Sequence, residues 1–120
     1  MDPELRDALA IRSVVDLTTF GRITGRPHRI EIWFAFHEST LFMLSGGGTH
    51  SDWVKNIIAD PAVILHVDDL EVAANARLIR AIDEADLARH LVFEKYNPGY
   101  AGDLTEWRMR SVLIAVEPAT

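Results

Sequence analysis

Apolar residues recur along this chain with two periods, and the change from one to the other marks its elements. Leu5, Ala8 and Leu9 lie at helical spacing behind Asp2-Pro3-Glu4. An Asp N-cap followed by Pro at the first helical position predicts a short amphipathic helix there. Residues 14–20, Val-Val-Asp-Leu-Thr-Thr-Phe, are β-branched and apolar and predict a first strand. Two glycines and a proline punctuate residues 21–27, the composition of a hairpin loop. In residues 29–36 the period is two, with Ile30, Ile32, Phe34 and Phe36 on a core face and Arg29, Glu31, Trp33 and Ala35 on the other. Trp33 on that second face predicts cover from outside the main core, by a partner subunit, a ligand, or both.

After a turn at residues 37–40, residues 41–44 form a short apolar run that stops in Gly46, Gly47 and Gly48. Glycines without a Cβ let an anion approach main-chain N–H groups closely, so Ser45 and the three glycines are a candidate phosphate or carboxylate cradle. The helix behind them, residues 51–59, starts with Thr49 and Asp52 at the spacing of a weak capping box, or with Ser51 as N-cap. Asp52 opposes the anion reading, because a first-turn carboxylate already complements the helix end and repels phosphate. Asp60-Pro61 ends this helix. Residues 62–67 predict a buried strand, residues 71–82 a longer one, residues 83–93 a helix capped by Asp83, and residues 111–116 a closing strand. The sum is an α+β, mainly β chain: a single domain over residues 1–120, a six-stranded antiparallel barrel with one helix inserted after strand three and one before the last strand.

Composition narrows the chemistry. A chain of 120 residues that is 48% hydrophobic can bury one core. It has no cysteine, which excludes disulfides, thiolate metal sites and a cysteine nucleophile. A net charge of −6 disfavours binding to nucleic acid, which rests on many phosphate contacts from Lys and Arg. Yet Arg22, Arg26, His28 and Arg29 cluster in the hairpin loop and its exit, a basic site suited to a small anionic ligand. The histidines are too scattered for a metal site, and no nucleophile-elbow motif supports a hydrolase. The first residues lack the basic and apolar regions of a signal peptide, and no apolar run reaches the length of a membrane span, so a cytoplasmic protein is expected.

Four pieces in order carry a resemblance: Gly21-Arg22-Ile23-Thr24-Gly25-Arg26-Pro27-His28-Arg29, then Ile32-Trp33-Phe34, then Ser45-Gly46-Gly47-Gly48, then Asp52-Trp53-Val54-Lys55-Asn56 leading to Asp60-Pro61-Ala62-Val63. Together they resemble the deazaflavin-dependent nitroreductase and quinone-reductase family, whose split β-barrel is related to the pyridoxamine-phosphate-oxidase-like flavoproteins. The resemblance implies reduction by coenzyme F420, a deazaflavin with a phosphate and an oligoglutamate tail, and a homodimer. It implies that Arg22, Thr24 and Arg26 face the anionic groups, that Ser45 and Gly46, Gly47 and Gly48 bond the phosphate or ring edge, that Trp53 and Asn56 support the loop, and that Trp33 lies near the ring. Ile23 stands where many relatives have a basic residue, and Glu31 where some have proline.

The expected function is therefore an oxidoreductase passing hydride from reduced F420 to an electron-poor small molecule, such as a quinone, nitroaromatic or enone. No side chain is needed as a nucleophile, and the proton for the reduced acceptor can come from solvent, His50 or a tyrosine such as Tyr96. Two alternatives remain at this point: FMN in the same barrel, or a non-catalytic protein that binds a flavin, F420 or haem.

Overall fold

A computed structural model describes residues 2–99, 102, 104, 105, 107 and 111–119. Helix α1 (Pro3–Ala10) opens the chain with Pro at its start, and the Asp2 carbonyl accepts the Arg6 N–H at 3.0 Å. Strands β1 (Val14–Phe20), β2 (Pro27–Trp33), β3 (Ala35–His37) and β4 (Thr40–Ser45) follow, then a 3-10 turn at Gly48–His50 and helix α2 (Asp52–Ala59). Strands β5 (Ala62–Val67) and β6 (Leu70–Leu78), helix α3 (Ile82–Tyr96), a 3-10 turn at Asn97–Gly99 and strand β7 (Val112–Pro118) complete the order. No helix among the described residues is long and apolar enough to cross a membrane.

All pairings are antiparallel, in the order β2-β1-β5-β6-β7-β4-β3. β2 and β3 are the two ends of that order, yet only Phe34 separates them in sequence. One residue spans at most ~3.5 Å, so the two ends meet and the sheet curls into a split barrel. The expected single strand over residues 29–36 is thus two strands, and the barrel has seven rather than six.

Where the ladder breaks at Phe34, its main-chain groups need other partners. The Tyr96 hydroxyl accepts the Phe34 N–H at 2.8 Å and donates to the Ser13 carbonyl at 2.5 Å. Lys95 donates its ammonium to the Phe34 carbonyl at 2.7 Å and lies 3.6 Å from the centroid of the Phe34 ring. The last turn of α3 therefore holds the seam. That explains why α3 runs on to Tyr96, beyond the expected end at residue 93.

Two apolar layers follow from strand alternation. Val15, Leu17, Phe34, Leu41, Met43 and Leu65 point into the barrel, which is plugged by Leu5 and Leu9 of α1 and by Val54 and Ile57 of α2. Phe42, Leu44, Leu113 and Ala115 point outward and are covered by Ala88 and Val92 of α3. β4 and β7 are buried on both faces, which is why they read as unbroken apolar runs rather than as alternations.

Three local expectations change. The capping box does not form: Ser51 is the N-cap residue of α2 but makes no side-chain cap, and its hydroxyl lies 3.0 Å from that of Ser45 instead. β6 ends at Leu78 rather than residue 82, because Ile79 turns its N–H to the Leu113 carbonyl at 2.9 Å and Ala81 becomes the N-cap residue of α3 in place of Asp83. Trp33 is covered from within the chain. It stacks on Tyr96 with centroids 4.3 Å apart and 6° between planes, and meets Trp107 edge-on at 5.7 Å.

Candidate functional site

At one end of the barrel the β1–β2 loop stands over α2, and the space between them is a groove of about 760 Å³. The register of the hairpin builds it. Phe20 pairs with Pro27, which leaves residues 21–26 as the loop, and Thr19 pairs with His28. Leu17 faces the core, so Thr19, two residues on, shares its face, as do His28 and Ile30 across the ladder. The loop closes with Gly21 donating to the Arg26 carbonyl and Gly25 donating to the Gly21 carbonyl, both at 2.8 Å. Gly25 has φ +75°, a conformation that other residues adopt at a cost.

Asn56 ties these parts together. It is 4% exposed, and its side-chain carbonyl accepts the Arg22 main-chain N–H at 3.2 Å and the Arg22 guanidinium at 3.0 Å. Its amide donates to the hydroxyl of Thr19, itself 1% exposed, at 3.2 Å. Three elements, the end of β1, the loop and α2, thus share one side chain, whose carbonyl accepts twice from Arg22 and whose amide donates to Thr19. Burial of this polar pair is offset by its hydrogen bonds. Arg22 also reaches Asp52 at 3.4 Å, where the carboxylate side chain is 84% exposed. Arg29, on the opposite wall, pairs with Asp16 at 2.7 Å.

Of the ten residues the sequence nominated for a cofactor, Arg22, Thr24, Trp53 and Asn56 line this groove. Arg26 is exposed on the same loop, with its N–H bonded to the Thr24 hydroxyl at 3.3 Å, but does not line the groove. Ser45, Gly46, Gly47 and Gly48 lie outside it, before the start of α2. The Ser45 hydroxyl, 3% exposed, donates to the Gly48 carbonyl at 3.2 Å. A Cβ on Gly47 would come within 2.3 Å of the Ser51 hydroxyl, and one on Gly46 within 3.1 Å of the Trp107 ring, so both positions are closely packed. Gly48 alone of the three has positive φ, +60°.

Trp33 lies with Tyr96 and Trp107, outside the groove. Of the candidate proton donors, His50 is exposed in its 3-10 turn and does not line the groove. Tyr96 is committed to the seam, and burial pushes its hydroxyl up to about 12. Thr19 and Ile30 were not singled out in the sequence, and His28 and Arg29 only as members of the basic cluster, yet all four line the groove. The missing signal was the hairpin register, since a six-residue loop puts His28 beside Thr19 and no local pattern gives that length. Among the described residues no group of three or more His, Asp or Glu side chains could hold a metal ion.

A model of the F420H(2)-dependent quinone reductase family matches residues 4–117. No curated protein matches the chain. Among solved structures, the chain is similar to an F420-H2 dependent reductase (FDR-A), at 22% identity over 88% of this chain and 95% of that one, with a TM-score of 0.71. It is also similar to HutZ, a haem storage protein from Vibrio cholerae, at 16% identity over 99% and 90%, TM-score 0.76. A third neighbour, described as a domain-swapped dimer, shares 22% identity over 88% and 81%, TM-score 0.71. At these identities the structural likenesses bear on the fold.

Proposed function

The chain belongs to the F420H(2)-dependent quinone reductase family, and from that premise we propose that the groove between the 21–26 loop and α2 holds coenzyme F420 and admits a quinone, nitroaromatic or enone. The enzyme is an oxidoreductase and its cofactor is F420. What carries the placement is convergence: Arg22, Thr24, Trp53 and Asn56, from segments some thirty residues apart, line one cavity of about 760 Å³. That volume is in the range of small-molecule sites.

The residues present fit a flat, anionic cofactor. Arg22 offers guanidinium N–H groups suited to phosphate or carboxylate. Its Asp52 partner is 84% exposed and can turn into water when a ligand anion takes its place. Trp53 and Ile30 supply apolar wall, and Thr24 a hydroxyl. Asn56 holds the Arg22 side chain from below, both hydrogen bonds to its carbonyl coming from Arg22. The cofactor supplies the hydride when bound; the chain orients it, shields it and lets the acceptor approach. The second hydrogen of a reduced quinone arrives as a proton. His28 lines the groove and its imidazole can pass one, whereas the Tyr96 hydroxyl is held at the seam.

We extend the reading to a homodimer. The domain-swapped dimer among the structural neighbours supports it, as does the exposure of β2 along its first half. Sedimentation at micromolar concentration that finds only a 13.5 kDa species removes that part. The function itself is tested by mixing the protein with reduced F420 and one acceptor of each class, and following return of the oxidised cofactor's absorbance. Protein-dependent turnover with at least one class is expected, and none with any of them overturns the reading.

A further inference from the structure

Hydride delivery leaves a reduced acceptor one proton short, and the groove offers few groups to supply it. Its ionisable lining residues are Arg22, His28, Arg29 and Asp52. Arginine keeps its proton throughout the working range, and an ordinary carboxyl group has already lost its own near neutral pH. Histidine is the side chain that changes charge between pH 5 and 8. His28 is also available. Among the described residues neither of its ring nitrogens has a hydrogen-bond partner, whereas His66 lies 2.7 Å from the Thr18 hydroxyl through Nε2 and faces Glu71 at 3.5 Å through Nδ1.

The ring has a defined seat. A Cβ on Gly21 would stand 3.1 Å from the Nε2 of His28 and 3.4 Å from its Cδ2, so the imidazole lies against the neck of the loop. Gly21 is fixed there through both main-chain groups, donating to the Arg26 carbonyl and accepting from the Gly25 N–H. It is not among the glycines with positive φ, so the nearest obstacle to a side chain at this position is the imidazole itself. The charged side chains on the elements around the ring are Arg22 and Arg26 from the loop, Arg29 from β2 and Asp52 from α2; Arg29 is paired with Asp16.

We propose that His28 is the acid that protonates the reduced acceptor, and that Gly21 is the positioning residue that gives its imidazole room beside the groove. The proposal rests on the placement of F420 and its acceptor in this groove. For a quinone, the hydride from reduced F420 brings two electrons and one hydrogen and leaves a hydroquinone anion. An imidazolium N–H bond then breaks, its proton completes the second O–H, and the neutral imidazole regains a proton from solvent. Reduced F420 releases its remaining ring proton to solvent, so the sum is reduced F420 and quinone giving F420 and hydroquinone.

The test joins an NMR titration of the histidine rings to single-turnover kinetics with reduced F420 and a soluble naphthoquinone, on wild type, His28→Asn, His28→Ala and Gly21→Ala. Oxidised F420 is expected to move the ring signals of His28, identified as those missing from His28→Asn. His28→Asn is expected to react about a hundredfold more slowly and to lose the fall in rate that wild type shows between about pH 6 and 8. Imidazole added to the buffer is expected to accelerate His28→Ala at least about tenfold. Gly21→Ala keeps the imidazole but displaces it, and is expected to slow the reaction about fivefold with F420 affinity unchanged.

A His28→Asn rate within about threefold of wild type, a pH profile that this variant retains, or no acceleration of His28→Ala by imidazole overturns the acid. Gly21→Ala at the wild-type rate overturns the positioning role. The ring signals separate these failures from failure of the site. If F420 binds and leaves the His28 signals unmoved, the groove is wrongly placed and the acid falls with it. If the signals move while His28→Asn keeps the wild-type pH profile, the site stands and only the acid is lost.

Discussion

Replacing Asn56 by alanine removes, in one step, the side chain that joins β1, the loop and α2. Two hydrogen bonds from Arg22, at 3.2 and 3.0 Å, and one to Thr19, at 3.2 Å, are lost together. The Thr19 hydroxyl, on a residue 1% exposed, is left buried without its donor. Neutral hydrogen bonds contribute about 1 kcal/mol each, and the guanidinium bond a little more in isolation but less here, since Arg22 is one-third exposed. The expected loss is ~3 kcal/mol, which for a chain of this length lowers Tm by roughly 10 °C. Thermal and urea unfolding of the apo-protein measure it. Asn56→Asp, which keeps the acceptor for both Arg22 donors, should recover about half of the loss. The same Asn56→Ala protein should bind F420 about tenfold more weakly, because Arg22 is no longer held in place. A stability loss under ~1 kcal/mol, or unchanged F420 affinity in a protein that is destabilised as expected, refutes the role given to Asn56.

Two further predictions concern the seam. Tyr96→Phe leaves the Phe34 N–H without its acceptor and should cost about 2 kcal/mol in urea unfolding, with little effect on F420 affinity because Tyr96 does not line the groove. Lys95 is exposed as a residue, but its ammonium is drawn over the Phe34 ring, and desolvation lowers its pKa from 10.5 to about 8. Between pH 8 and 10 the unfolded chain then binds more protons at this site than the folded one, so stability should rise with pH across that window. Solvent screening keeps the effect small. Tyr96, raised to about 12, works in the opposite sense above pH 10, where the unfolded phenol ionises first and stability should fall. Lys95→Met should flatten the rise between pH 8 and 10; an unchanged slope contradicts the assignment.

Much of this structure could be read where the signal is local. β1 spans residues 14–20 and β5 residues 62–67, as the apolar runs and their turn residues predict. α2 lies within a residue of its expected start and ends at Ala59, before Asp60-Pro61. What escaped depends on partners far along the chain. The break at Phe34 has no mark in its own alternation, since the same residues would pleat equally well as one strand. It arises because Tyr96 and Lys95, some sixty residues later, supply the partners that the ladder gives up. Trp33 was correctly read as needing cover, but the cover is Tyr96, which no period links to it.

The groove divides in the same way. Arg22, Thr24, His28, Arg29, Trp53 and Asn56 belong to motifs visible in sequence, whereas Thr19 and Ile30 enter through the hairpin register. The glycines drew attention as an anion cradle, and Gly47 and Gly46 also lie in close approach to Ser51 and Trp107. A glycine needed for packing and one needed for a ligand look the same in a sequence.

The measurement that bears most directly on the account is the titration of wild type and Arg22→Ala with F420, each accompanied by its Tm. Arg22 is one-third exposed, its contact to Asp52 is a weak surface pair and Asn56 keeps the main-chain N–H of residue 22, so loss of the side chain should move Tm by only a few degrees. In the proposed placement the guanidinium is a principal positive contact for the cofactor, so the same change should weaken F420 at least tenfold. Tighter than micromolar binding by wild type, a tenfold loss in Arg22→Ala and a Tm lowered by no more than a few degrees are the predicted results. Equal affinity in the two proteins contradicts the placement of the cofactor in this groove.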